Sequence, residues 1–237
     1  MSKFKLIALD LDGTLLNSRK EISARNLHWI KRAEEAGMIV SFATGRSRFN
    51  SEPYWGAVNP GSPMIISNGA EVWRNHRELL ARYALPSGEV PKLLTLAREY
   101  GVQYWTNGSC GEDGSPLGEC LKVGMYDPDL SVIEEIRERV SGWDQFEISS
   151  SAANNIEFNR RGVTKASGLA EAAAPLGIKP CEVVAIGDGL NDLAMLQWAG
   201  LGVAMENAPG IVKEAADLVT AANDDDGVAR VIQSILE

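Results

Sequence analysis

The sequence predicts an α/β fold: a Rossmann-like parallel sheet with a small α+β lobe inserted into it. Three observations carry this expectation. Short apolar runs alternate with amphipathic helical stretches at both ends of the chain, the pattern of parallel βαβ units. Between them, from about Arg82 to Asn159, the order changes to helix, strand, strand, helix, strand, strand. Polar, chemically capable residues follow the apolar runs, at the edge where open parallel sheets keep their ligands.

In chain order, residues 4–9 form an apolar run interrupted only by Lys5, the pattern of a buried strand. A helix over 23–35 puts Leu27, Ile30 and Ala33 on one face and stops at Gly37. Residues 38–43 and 64–66 are the next strands. The insert reads as a helix at 89–100, strands at 102–106 and 119–125, a helix at 130–140, and strands at 146–149 and 155–158. Such a duplicated αββ unit makes a small antiparallel sheet with two helices on one face. The core resumes with a helix at 164–176, a strand at 183–186, a helix at 192–199 and a strand at 202–205. A helix opened by Pro209, a strand at 218–220 and a helix at 227–236 close the chain. The acidic run Asn223-Asp224-Asp225-Asp226 is expected to cap that last helix in solvent. The expected division is 1–81 and 158–237 for the core and 82–157 for the inserted lobe.

A chain of 237 residues allows one large domain or two modest ones. Its 45% hydrophobic and 23% charged residues suit a globular protein with a substantial core. No apolar run approaches the ~20 residues of a membrane span. The Met1-Ser2-Lys3-Phe4-Lys5 start lacks a signal-peptide core with a small-residue cleavage site. A cytoplasmic protein with no membrane partner is therefore expected. The net charge of −9 argues against nucleic acid. It leaves room for a small phosphorylated substrate, because a cation and a lysine can reverse the sign inside a cleft. Cys110, Cys120 and Cys181 include no Cys-x-x-Cys pair and read as free thiols in a reducing compartment, although Cys110 and Cys120 flank a Gly-rich turn and could come close. His28 and His76 alone offer little for a zinc site or a Ser-His-Asp triad.

The most informative stretch is Leu9-Asp10-Leu11-Asp12-Gly13-Thr14-Leu15. Side chains at i and i+2 of an extended chain point the same way, so Asp10 and Asp12 can face one site. Like charges that close repel unless a cation lies between them or one carboxylate keeps a proton. By themselves these residues fit either a metal-assisted acid–base site or a polar strand exit with a turn. Three further patterns follow: Thr44-Gly45-Arg46-Ser47 after the second strand, Gly162-Val163-Thr164-Lys165 opening a helix, and Gly187-Asp188-Gly189-Leu190-Asn191-Asp192 after a later strand. With all four in this order, the chain resembles the haloacid dehalogenase (HAD) superfamily of phosphotransferases, and within it the Cof-like phosphatases, over roughly residues 3–81 and 158–237. The insert lies after the third core strand, where that branch carries its cap, and is short for it.

The resemblance implies that Asp10 attacks phosphorus and becomes an aspartyl-phosphate. Asp12 would protonate the leaving oxygen and then deprotonate the hydrolytic water. Mg²⁺ would be held by Asp10, the backbone carbonyl of Asp12, and Asp188. Asp192 would bind it directly or steady Asp188 and a water from behind, while also capping the next helix. Thr44, Gly45 and Lys165 would hold the phosphoryl oxygens, since such transfer asks the protein mainly for positioning and charge. Arg46 either binds the substrate's phosphate or leaving group, or forms a salt bridge at the rim. Asn68 touches substrate or makes an Asn-Gly turn. Asn191 orients its loop or touches substrate. Tyr104, Trp105 and Tyr126 line the pocket or pack the cap. The implied enzyme is a Mg²⁺-dependent phosphatase, monomeric or homodimeric, acting on small phosphorylated metabolites such as sugar phosphates or phosphoglycolate-like acids. A phosphomannomutase-like phosphomutase would share these motifs. A non-catalytic ligand-binding protein would not need a nucleophile.

Overall fold

The computed structural model describes residues 3–108 and 118–237. The first half of the core comprises β1 (Leu6–Leu9), α1 (Ala24–Glu35), β2 (Ile39–Ala43), α2 (Arg48–Ser51), β3 (Met64–Ile66), β4 (Glu71–Trp73) and β5 (Leu79–Arg82). The insert follows as α3 (Val90–Tyr100), β6 (Gln103–Gly108), β7 (Cys120–Tyr126), α4 (Leu130–Val140), β8 (Phe146–Ser149) and β9 (Asn155–Arg160). Then come α5 (Lys165–Ala173), β10 (Val183–Gly187), α6 (Leu193–Trp198), β11 (Leu201–Ala204), α7 (Gly210–Ala215), β12 (Leu218–Val219) and α8 (Gly227–Leu236).

Among the described residues, the core sheet has eight strands in the order β12-β11-β10-β1-β2-β3-β4-β5, parallel except where β4 and β5 add an antiparallel edge. Its central strand β1 is wholly buried, as a strand covered on both faces must be. Ile7 and Leu9 point toward the side packed by Ile30 of α1 and Val228 and Ile232 of α8. Leu6 and Ala8 point to the other side, against Leu169 of α5 and Met195 and Leu196 of α6. Each such Leu or Ile burial contributes about 1.5–3 kcal/mol. The register places Leu9 opposite both Ile186 of β10 and Phe42 of β2. Three strands therefore end level, and their following loops emerge side by side.

The smaller sheet, β6-β7-β9-β8, is antiparallel throughout. Val123, Met125, Ile156 and Phe158 alternate onto the face covered by α3 and α4, together with Leu93, Ile133 and Ile136. The intervening Lys122, Gly124, Glu157 and Asn159 lie on the opposite face by strand alternation, and Lys122 and Asn159 there bond to the core. The α/β core with an inserted αββαββ cap is thus the fold the sequence predicts.

Several local expectations need correction. Residues 71–82 had no expected element, yet hold β4 and β5; strands of three and four residues give too short a period to read. On α1, Leu27 stays exposed while Asn26 is buried, accepting the Ala229 N–H of α8 at 2.9 Å. Ser23, expected as the first residue of this helix, is its N-cap and accepts the N–H of Asn26. The acidic run makes no side-chain cap on α8. Asp224 instead accepts from the backbone N–H of Ser18 at 2.8 Å and from its hydroxyl, and Asp226 accepts from the Ser23 hydroxyl. The run thereby ties the segment after β1 to the C-terminal helix. Cys120 is buried at the start of β7 and Cys181 is exposed, whereas Cys110 lies outside the described residues. Among the described residues no helix is long and apolar enough to cross a membrane.

Candidate active site

The level ends of β1, β2 and β10 bring Asp10, Thr44 and Asp188 to the edge of one cavity of about 430 Å³. After Asp10 the chain turns sharply at Gly13, whose φ is +77°. A side chain is excluded there twice over: by the left-handed backbone, and because a Cβ would fall 2.3 Å from Asp188 Oδ2. The turn also places Thr14, which donates its hydroxyl to Asp188 Oδ1 at 2.6 Å.

Lys165 opens α5 behind a reciprocal cap made by Thr164 and Ser167. Its ammonium is fully buried and lies 2.6 Å from Asp10 Oδ1 and 2.6 Å from Asp192 Oδ1. The other oxygen of Asp192 accepts the N–H groups of Asp188 and Gly189 at 2.9 and 2.8 Å. One oxygen from each of Asp10, Asp188 and Asp192 lies within 4.8 Å of the others.

Three carboxylates face one ammonium, and the electrostatics register the imbalance. Burial pushes the Asp10 carboxyl well above the usual range, aided by the charges of Asp192 and Asp188 and opposed by Lys165. Burial and the Asp192 charge lift Asp188 to about 7 against the Thr14 hydrogen bond. Lys165 is held above its ordinary value: burial disfavours its charge, but Asp10 and Asp192 outweigh that cost. An oxygen-only donor set with excess negative charge, two of its three carboxylates buried, can hold a divalent metal, and it favours a hard one.

Asp12 stands apart from this cluster. Arg46 grips it with both ends of the guanidinium, Nε to Oδ2 at 2.6 Å and Nη2 to Oδ1 at 2.7 Å, while Lys20 reaches Oδ1 at 2.8 Å. Burial would raise the Asp12 carboxyl, yet the hydrogen bonds from Arg46 and Lys20 prevail and hold it at about 2. Arg46 also lies over the Tyr54 ring, 5.1 Å from its centre. Of the two readings for Arg46, the salt bridge is therefore present, and it is made to a candidate catalytic carboxylate.

Thr44 spends its N–H on Ile65 O at 2.8 Å, so its hydroxyl and the neighbouring Gly45 are what it offers the cavity. Asn191 lines the cavity and donates to Asn68 Oδ1 at 3.1 Å. Asn68, with φ of +60°, is not among the lining residues. Its amide donates to Glu157 Oε2 at 2.7 Å and to Asn159 Oδ1 at 3.2 Å, so it is a strut from core to cap. Tyr104, Trp105 and Tyr126 all lie outside the cap's buried apolar cluster, and Trp105 lines the cavity.

Sequence reasoning missed five members of this constellation. Thr14 sat inside the first motif without a role. Lys20 and Asn207 are remote from the motifs; Asn207 donates to Gly13 O at 2.8 Å and approaches Asp188 Oδ2 at 3.5 Å. Lys122 and Glu157 face the cavity from the cap as an ion pair at 2.7 Å. In the sequence they stand out only as polar positions in otherwise apolar strands, which does not report that they meet.

The chain matches the family described as haloacid dehalogenase-like hydrolase over residues 7–109 and 112–232. It is 37% identical over 236 residues to the 5-amino-6-(5-phospho-D-ribitylamino)uracil phosphatase YcsE of Bacillus subtilis (strain 168), covering 97% of this chain and 94% of that protein. It is 27% identical over 268 residues to the pyridoxal phosphate phosphatase YbhA of Escherichia coli (strain K12), covering 98% of each. Among solved structures, a haloacid dehalogenase-like hydrolase from B. subtilis superposes with a TM-score of 0.88 at 26% identity, covering 97% of this chain and 99% of that one. This chain belongs to the haloacid dehalogenase-like hydrolases, in their Cof-like branch, and is a phosphatase of that type acting on small phosphorylated metabolites.

Proposed function

We propose that the enzyme is a Mg²⁺-dependent phosphatase that works through an aspartyl-phosphate on Asp10. The observation that carries this reading is the buried Asp10–Lys165 contact of 2.6 Å beside Asp188. It supplies a nucleophile, a charge to steady it, and a second carboxylate at the end of one strand bundle. Asp10 attacks phosphorus in line and displaces the alcohol oxygen. Lys165, Thr44 and Gly45 stabilise the phosphoryl oxygens. Asp12 gives the leaving oxygen a proton and later takes one from the hydrolytic water. Its ionised form, favoured by Arg46 and Lys20, suits the second of these steps. Asp10, the Asp12 carbonyl and Asp188 would hold the Mg²⁺. When bound, the cation supplies positive charge opposite the phosphoryl group. Asp192, with both oxygens engaged by Lys165 and two backbone amides, acts as the brace that aims Lys165 and shapes the Asp188 loop.

In this reading the catalytic core is residues 1–82 and 161–237 and the specificity cap the stretch between, a shift from the expected borders at 81 and 158 because β5 runs to Arg82 in the core sheet and β9 to Arg160 in the cap sheet. Among small phosphorylated metabolites we favour phosphorylated polyols and sugars, because the paired Lys122 and Glu157, with Asn107 and Asn191, line the cavity with hydrogen-bonding groups suited to hydroxyls. The relative that acts on 5-amino-6-(5-phospho-D-ribitylamino)uracil is 37% identical over nearly the whole chain, which makes that polyol phosphate the leading candidate. We place the enzyme in the cytoplasm, where the exposed Cys181 thiol stays reduced. Phosphate release from this compound and from a panel of sugar phosphates, with Mg²⁺ and then with chelator, tests the reading. Turnover should need Mg²⁺ and yield one inorganic phosphate per alcohol released. Unchanged rates in chelator would overturn the metal assignment, and return of phosphate to substrate would indicate a mutase.

A further inference from the structure

The roof of the cavity carries an unusual pairing. In the cap sheet Trp105 of β6 stands directly opposite Gly124 of β7. Strand alternation puts both on the face opposite α3 and α4. That face is turned to the core, since Asn107 donates to Ser67 Oγ at 3.0 Å and Lys122 to Gly45 O at 2.7 Å. Gly124 has no unusual backbone angle that would call for glycine. What calls for it is space. A Cβ at Gly124 would lie 2.2 Å from both Cε2 and Cζ2 of the Trp105 indole and 2.7 Å from Cη2. The ring therefore lies across the glycine. A glycine inside a strand forfeits packing and chain entropy, and commonly marks a close approach. Here the approach adds nothing to the apolar core of the cap, which Trp105 does not join. The indole is instead half-buried and lines the same cavity as Asp10 and Asp188.

We propose that the Trp105 indole, seated on Gly124, is a stacking platform for a planar unsaturated ring at the far end of the leaving group. The proposal rests on the phosphatase reading of this site and specifies its substrate class: a phosphate ester of a polyol that carries a heterocycle. The polar groups beside the platform (Asn107, Lys122, Glu157 and Asn191) offer donors and acceptors for hydroxyls between ring and phosphate. An aromatic ring on the roof meets a π-face by stacking, and this contact does not depend on charge. It lies away from the reacting atoms and is made equally before and during the transfer, so it acts on KM and not on kcat.

The experiment compares two esters with the same ribityl phosphate, D-ribitol 5-phosphate and 5-amino-6-(5-phospho-D-ribitylamino)uracil, on wild type, Trp105→Ala, Trp105→Phe and Gly124→Ala. Trp105→Ala should lower kcat/KM for the ring-bearing ester by roughly tenfold or more through KM. It should leave the ringless ester within about twofold. Trp105→Phe should keep most of the preference. Gly124→Ala should lose it, because the new methyl displaces the ring. An equal loss for both esters would reduce Trp105 to a packing role, and no loss for either would remove it from the site; each result overturns the proposal. Phosphate release from D-ribitol 5-phosphate by the wild type tests the phosphatase reading separately. Should that fail, calorimetric binding of the two esters still decides the platform: the ring-bearing one should bind more tightly, and Trp105→Ala should erase the difference.

Discussion

Lys122 and Glu157 form an ion pair sealed between cap and core, Nζ to Oε1 at 2.7 Å, with side chains only 2% and 4% exposed. Lys122 donates again to the carbonyl of Gly45, and the second Glu157 oxygen accepts from Asn68. Both Gly45 and Asn68 belong to core loops, so the pair fastens the cap sheet to the loop that would cradle the phosphoryl group. The cap sheet is thus tied directly to the core loops that carry Gly45 and Asn68.

Removing one partner should therefore cost more than removing both. Lys122→Met leaves Glu157 buried without its counter-ion and should destabilise the protein by about 3–5 kcal/mol. Lys122→Met combined with Glu157→Gln should recover a substantial part, because no unpaired charge remains. Urea unfolding of the wild type, the single and the double variant checks the ranking. A double variant less stable than Lys122→Met would contradict it.

Asp188 makes a prediction about pH and metal together. Its carboxyl sits at about 7 in the fold against an ordinary value of ~3.9, so the folded chain retains a proton that the unfolded chain releases between those values. Stability of the metal-free protein should then fall as pH rises across that window, by at most ~1.4 kcal/mol per pH unit for one proton. Asp10, raised for the same reasons, acts in the same direction. A cation must displace these protons, so Mg²⁺ should raise Tm little at pH 5.5 and markedly at pH 8. Asp188→Asn should be the more stable protein at pH 8 without metal and should respond weakly to Mg²⁺. Melting curves at both pH values decide the matter; an equal Mg²⁺ response at the two would count against this account.

What the sequence revealed and what it hid divide along physical lines. The ends of β1, β2 and β10 were legible because each motif directly follows an apolar run, and parallel strands present their ends together. That rule places Asp10, Asp12, Thr44 and Asp188 at one edge, but their expected roles, and that of Lys165 at its helix start, came from the resemblance to the haloacid dehalogenase superfamily. The Lys122–Glu157 pair was hidden because it depends on the register of β7 against β9, which no local pattern reports. The Asp12–Arg46 salt bridge depends on a long side chain choosing between partners, and the motif names both residues without saying that they meet. Trp105 was ambiguous for a related reason. An aromatic in a half-buried strand fits core or pocket equally until the residue across from it is known to be glycine. Residues 71–82 were missed because β4 and β5 are short and complete only at the sheet edge.

The two carboxylates of the first motif should separate under substitution. Asp10→Asn should abolish turnover and covalent phosphoryl labelling together. Asp12→Asn should slow turnover by about 10²–10⁴-fold. It should slow alkyl phosphates more than aryl phosphates, because an alkoxide needs the proton more. Rapid-quench labelling and steady-state rates on both ester types measure this. Near-normal alkyl phosphate turnover by Asp12→Asn would remove the acid–base role.

Arg46 should then matter through Asp12. Its two hydrogen bonds are what hold the Asp12 carboxylate in place and, together with Lys20, near a pKa of 2. A carboxyl whose folded pKa is lowered adds stability above its ordinary value and loses it as pH falls toward the folded one. Arg46→Ala should accordingly move acid unfolding to higher pH, modestly, since Asp12 is partly exposed and Lys20 remains. For catalysis the consequence is positional. A carboxylate left with one flexible partner no longer points at a single spot, and proton delivery to an oxygen demands that it does. Arg46→Ala should thus depress kcat on alkyl phosphates while sparing an aryl phosphate that departs without help. Arg46→Lys should fall between, because an ammonium cannot reproduce the two-pronged grip. Equal losses on both ester types would mean that Arg46 serves the phosphoryl group itself and not Asp12.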